Sequence, residues 1–208
     1  PYSIKHNLDY FDHWYIVTSK EDIATQQIVN DMASDRITLL YWEFASLYED
    51  HEGNLTKQRY FDKGGAIKYA QQRAYDQFHH HWYLIMDTDI LIRSQRDLIT
   101  EHLCPEYIYG PQSRLDFASI KDYDQGVVHR SYFQGRPRII GFFQLYKQKY
   151  YYRPSVDSNM CDDEFTRLWA HDHRQFLAMT VDHLGHWAPG IPNSHRGRQL
   201  GVGFTGNV

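Results

Sequence analysis

The sequence predicts an α/β domain built on a mostly parallel sheet. Short runs of branched and aromatic residues alternate with stretches whose apolar residues recur at helical spacing. Through the first half the order is strand, helix, strand, loop, helix, strand, the rhythm of βαβ units. One apolar run, Trp82–Ile92 (WYLIMDTDILI), is broken by two acids where a strand should end.

In chain order, Ile4–Tyr10 is a short helical candidate, and His13–Thr18 (HWYIVT) reads as a strand. Ser19 resembles an N-cap, with Asp22 three residues on completing an approximate capping box. It introduces a helix over Asp22–Ala33, on which Ile23, Ile28, Val29 and Met32 fall at helical spacing. Ile37–Trp42 (ITLLYW) is a second strand, and Glu49–Lys57, polar with Gly53 and Asn54, is a loop. Gly65–Phe78 is a helix with Ile67, Ala70, Ala74 and Phe78 on one stripe, and the Trp82 strand follows. The second half is less regular. Tyr107–Gly110 and Ile139–Tyr146 are strand candidates, and Asp116–Arg138 is polar and loop-rich. Asp162–Ala170 is a helix with an acidic first turn, which suits the helix dipole. Gly185–Val208 is glycine-rich and reads as loop. No repeat or linker interrupts the pattern, so residues 1–208 read as a single domain.

Composition narrows the function. A chain of 208 residues can bury one sizeable core. A formal charge of −4 gives no electrostatic case for nucleic acid as an obligatory partner. Two cysteines, Cys104 and Cys161, make no disulfide framework and point to a reducing, cytoplasmic compartment. No apolar run reaches membrane-spanning length, and no signal peptide is visible. With 17 tyrosines, 11 phenylalanines and 5 tryptophans, aromatic faces should wall both core and cleft, which suits a sugar or a nucleobase.

The chemistry concentrates at Asp87-Thr88-Asp89. In an extended chain residues i and i+2 point to one side, so both aspartates can face one point while Thr88 faces away. Buried carboxylates are costly unless something pairs with them. A divalent cation between them would do so, and oxygen ligands suit Mg²⁺ or Mn²⁺, which usually also hold substrate phosphates. In open parallel sheets ligands bind beyond the carboxyl ends of strands. Ser19 and Asp22 should lie along that edge, as should Lys63-Gly64-Gly65, whose lysine and helix-start amides form a candidate anion site. Asp162 and Asp163 are adjacent at a helix start, so one should enter the cleft while the other caps. Arg196-Gly197-Arg198, after Asn193, suits phosphate contacts in a loop.

The order of these segments resembles a GT-A glycosyltransferase, close to the family-2-like enzymes of bacteria and phages. The resemblance rests on strand–Thr18-Ser19, Phe61-Asp62-Lys63-Gly64, the D-x-D in Trp82–Ile92, IIGFFQLY at Ile139–Tyr146, Asp162-Asp163-Glu164-Phe165 and His183-Leu184-Gly185. It implies a Rossmann-like domain with helices flanking the sheet, and a nucleotide-diphosphate sugar donor, a UDP-sugar first among them. By the same resemblance Mn²⁺ or Mg²⁺ is held by Asp87, Asp89 and His183, and the donor meets Thr18, Asp22, Lys63, Thr88, Gly141, Asn193 and Arg198. Asp163, or failing that Asp162, is the general base of an inverting transfer. The acceptor is open among a glycan, a lipid-linked sugar, a protein side chain and a modified DNA base, in a bacterial or phage-infected cytoplasm. Pro1–Tyr10 resembles the helix after the family's first strand, so that strand is expected to be absent from this chain. The alternatives are a nucleotidyltransferase on a related sheet and a non-catalytic nucleotide- or carbohydrate-binding module.

Overall fold

The computed structural model describes residues 2–43, 48–49, 55–56, 62–79, 82–93, 102–133, 139, 141–147, 149–154 and 160–184. The first half forms close to where the residue pattern places it. Helix α1 (Tyr2–Asn7) is followed by strand β1 (Trp14–Thr18), helix α2 (Ile23–Met32) and strand β2 (Ile37–Tyr41). β1 and β2 pair in parallel, Trp14 opposite Ile37 through Thr18 opposite Tyr41. The N-cap of α2 is Asp22 rather than Ser19: its carboxylate accepts the Thr25 N–H at 3.0 Å. Two-residue strands β3 (Tyr48–Glu49) and β4 (Leu55–Thr56) pair where a loop over Glu49–Lys57 was expected, β3 at its edge and β4 within it. Helix α3 (Lys63–Gln77) is capped by Asp62, which accepts the Gly65 N–H at 2.8 Å. Gly65 has to be glycine there, because a Cβ would lie 2.1 Å from the Asp62 carboxylate and 2.8 Å from the Trp42 ring.

The Trp82–Ile92 run is two strands, not one. β5 (Trp82–Met86) ends at the acids, a turn closes with the Ile90 N–H donating to the Asp87 carbonyl, and β6 (Ile90–Ile92) leaves in a new direction. The strands and α-helices that follow among the described residues are β7 (Ile108–Phe117), α4 (Ile120–Asp124), β8 (Arg130–Phe133), β9 (Phe143–Lys147), α5 (Met160–Thr166) and β10 (Arg174–Leu184). They form one six-stranded sheet in the order β5-β9-β7-β10-β6, with β8 on β7. Among the described residues of this sheet, β7 and β10 alone pair in parallel; the β5–β9, β9–β7, β7–β8 and β10–β6 pairs are antiparallel.

This overturns the expected architecture. The sheet is mixed and mostly antiparallel, not a mostly parallel GT-A, Rossmann-like sheet flanked by helices, and the expectation of an absent first strand rested on that architecture. The physical reason lies after Met86. A parallel crossover needs a dozen or more residues, usually including a helix. The turn between β5 and β6 is three residues long, and the later helices α4 and α5 have only five and seven residues. β10 is the largest element that the residue pattern did not predict.

The core lies around this sheet. Ile90, Leu91 and Ile92 of β6 are fully buried, as are Ile108, Phe143, Tyr146 and Val181. α1 closes the outer edge of β6 with a side chain. The buried Asn7 donates Nδ2–H to the Ile90 carbonyl at 2.7 Å and accepts the Ile92 N–H at 2.9 Å. Ser3 donates to the Thr88 carbonyl. The edge of β6 is thus satisfied without another strand, and the acid-bearing turn is braced from outside. No helix among the described residues is long and apolar enough to cross a membrane.

Candidate functional site

The turn Asp87–Asp89 separates two charged clusters. The same-side expectation for its acids does not hold, because residues 87–89 turn rather than extend. Asp87 reaches one way and Asp89 the other.

On the first side stands Lys63, the first residue of α3. Its Nζ lies 2.7 Å from Asp162 Oδ2 and 3.5 Å from Asp87 Oδ1. Burial works to lower the ammonium's pKa, but the two carboxylates outweigh it and the net shift is upward, so Lys63 is charged at any ordinary pH. Asp162 is buried and accepts the Tyr152 hydroxyl at 3.0 Å on its other oxygen. Burial pushes its carboxyl above the usual range, against the pull of Lys63. Gly141 makes room for this acid: a Cβ there would fall 2.1 Å from the Asp162 carboxyl carbon. The next residue, Phe142, fixes the turn through its carbonyl, which accepts the Asp87 N–H at 3.0 Å. Burial pushes the neighbouring Cys161 thiol up to about 12, which removes it as a nucleophile near neutral pH.

On the second side is His183, near the end of β10. The Leu184 N–H donates to the Asp89 carbonyl at 2.8 Å, and this bond brings His-Leu to the acid turn. His183 Nε2 lies 3.4 Å from Asp89 Oδ2, and its Nδ1 lies 3.1 Å from Asp116 Oδ1. Behind Asp116 stands Arg114, Nε to Oδ1 at 2.8 Å, its guanidinium over the Phe142 ring at 4.8 Å. Burial alone would lower the His183 pKa, but hydrogen bonds to Asp116 and Asp89 prevail and raise it. Burial likewise works to raise the Asp116 carboxyl, but the bond from His183 and the charge of Arg114 hold it below its ordinary value.

The residues expected at the site are thus partly assembled. Asp87, Asp162, Lys63 and Gly141 meet on one side, and Asp89 and His183 on the other, with the exposed Thr88 between. Of the acid pair on α5, it is Asp162 that turns toward Lys63 and Asp87, while Asp163 is half-buried beside it. Lys63, expected to meet an anion, has its ammonium committed to two carboxylates. Thr18 and Asp22 form their own junction, the Thr18 hydroxyl donating to Asp22 at 2.7 Å. Asn193 and Arg198 lie outside the described residues. Residue types alone passed over Arg114 and Asp116, although their i, i+2 spacing on a strand was a usable signal.

A divalent cation fits this site in a limited way. Among the described residues no group of three His, Cys, Asp or Glu side chains is arranged to hold a metal. Asp87 is turned to Lys63, so the expected three-ligand set is not assembled. Asp89 and His183 do face each other, and the far nitrogen of His183 rests on a carboxylate, the arrangement that orients a metal-binding imidazole. One or two protein ligands supplemented by substrate phosphates is a common way to hold Mg²⁺ or Mn²⁺. No family model, curated protein or solved structure matches this chain.

Proposed function

We propose that this protein transfers a sugar from a nucleotide-diphosphate donor, a UDP-sugar first among candidates, to an acceptor hydroxyl with inversion. The observation that carries the reading is the Asp89–His183 pair at 3.4 Å, with Asp116 behind the imidazole. A bound Mn²⁺ or Mg²⁺ would supply charge for the departing diphosphate. Asp89 and His183 would hold it and the donor's phosphates would complete its shell. Asp116 keeps His183 Nε2 aimed at Asp89. Asp163 takes the acceptor's proton. Asp162 is a poorer base, because Lys63 holds its carboxylate in an ion pair. In-line attack puts that base on the face opposite the departing diphosphate, hence inversion. The acceptor can be a glycan, a lipid-linked sugar, a protein side chain or a modified DNA base. Neither Cys104 nor Cys161 is in a disulfide, in keeping with a cytoplasmic setting.

The test is calorimetry of Mn²⁺ alone and of UDP with Mn²⁺, on the wild type, Asp89→Asn and His183→Ala, beside donor hydrolysis and product stereochemistry. Both variants should lose Mn²⁺ binding and turnover. Asp163→Asn should keep UDP binding while turnover falls roughly 10²–10⁴-fold. Full turnover in excess chelator, or equal Mn²⁺ binding by all the proteins, would overturn the metal site. A retained anomeric configuration would overturn the base.

A further inference from the structure

Lys63 is a lysine at a helix start, a place that suits a phosphate ligand, yet its ammonium is held by two carboxylates. We propose that Lys63 is a positioning residue: it clamps the acid pair of α5 to the Asp87 end of β5 and so sets where Asp163 stands over the donor. The inference rests on the glycosyl-transfer reading for the role of Asp163, and on geometry alone for the clamp.

Three elements meet at one ammonium. Lys63 is fixed on its own side by the helix that Asp62 caps, and its side chain is only 19 % exposed. It touches Asp87 at the end of β5 and Asp162 in the first turn of α5. α3 grips the same region a second time. Gln71 accepts the Tyr152 N–H at 2.8 Å, and the Tyr152 hydroxyl donates to the Asp162 oxygen that Lys63 leaves open. Gln144 of β9 then holds the Asp162 carbonyl at 3.1 Å and the Thr166 hydroxyl at 2.8 Å. Gln144 thus holds the backbone next to Asp163, while Lys63 and Tyr152 hold the Asp162 side chain. A diphosphate ligand role would require Lys63 to leave two carboxylates uncompensated in a largely buried place, which is costly. An orientation role requires nothing to move.

The experiment compares wild type with Lys63→Met, Lys63→Arg and Asp162→Asn. It measures UDP affinity with Mn²⁺, UDP-glucose hydrolysis, and amide hydrogen exchange across residues 160–166. A positioning role predicts that Lys63→Met leaves UDP affinity unchanged, lowers kcat by roughly 10²-fold, as small misplacements do, and speeds exchange in α5. Lys63→Arg, which keeps the charge, should recover part of both. Should Lys63→Met fail to fold, Asp162→Asn, which leaves Lys63 on Asp87, makes the same measurement. Two results would overturn the proposal: loss of UDP affinity with kcat kept, the mark of a phosphate ligand, or unchanged exchange in α5. If the wild type hydrolyses no nucleotide sugar, the glycosyl-transfer reading fails, and the exchange data still decide the clamp.

Discussion

The two clusters on either side of the Asp87–Asp89 turn meet the same problem, carboxylates drawn out of water, with different cations. One uses a lysine, whose side chains with Asp87 and Asp162 are 11–31 % exposed. The other uses a histidine and an arginine around Asp116, where His183 and Asp116 are only 1–3 % exposed. The lysine shares its charge between two acids, so losing either still leaves it a partner. Asp116 sits between His183 and Arg114, so losing it takes a carboxylate from both at once. The first arrangement suits a clamp; the second suits a rigid support for Asp89 and His183.

The comparison can be broken by deleting the central acid of each cluster. Asp116→Ala should cost about 3–5 kcal/mol, because it breaks a largely buried ion pair with Arg114 and the bond to His183 together. Asp162→Ala should cost less, about 1–3 kcal/mol, the range for losing a charged hydrogen bond, because Asp87 retains Lys63. Urea unfolding of the two variants measures both, and equal costs would show that the clusters are not different in kind.

The brace between the clusters sharpens the contrast. Asn7→Ala leaves the Ile90 carbonyl and the Ile92 N–H without their partners and should cost about 3 kcal/mol, at 1–3 for each group. Because β6 pairs with β10 and not with α3, its effect should fall on the Asp89–His183 side. Mn²⁺ affinity should drop, while amide exchange across residues 160–166 stays as in the wild type. Faster exchange there would show that both clusters lean on one brace.

The smallest effect is expected away from both clusters. Asp22 caps α2, and Asp22→Ala should cost about 1 kcal/mol at neutral pH. Burial works to raise this carboxyl, but hydrogen bonds from Thr25 and Thr18 leave it below the usual range. Its contribution is therefore present above the unfolded value near 4 and fades as pH falls through the folded one. Thermal unfolding against pH should show wild type and variant converging in acid. A gap that widens in acid would contradict this.

Much of the local structure was legible in residue order. The β1–α2–β2 unit, α3, β5 and most of the polar residues that meet around the turn follow from hydrophobic period and from acids placed beside apolar runs. The same-side rule shows where such reading stops. Applied to Asp87 and Asp89 it fails, because the chain turns there. Applied to Arg114 and Asp116 it works, because β7 stays extended through both. The spacing does not distinguish the cases, although the two aspartates at 87 and 89 favour a turn more than Arg114-Leu115-Asp116 does. The difference comes from Phe142, Ser3 and Asn7, which hold the turn from distant parts of the chain. Residue order alone places the apolar runs and the acids beside them, but not which acid caps a helix, Asp22 for α2 and Asp62 for α3. Tertiary structure alone decided that the sheet is mixed, that β10 brings His183 to Asp89 and Asp116, and that Lys63 faces acids rather than open cleft. Those depend on strand pairing between residues far apart in sequence, and register of that kind is set by partners rather than by local pattern.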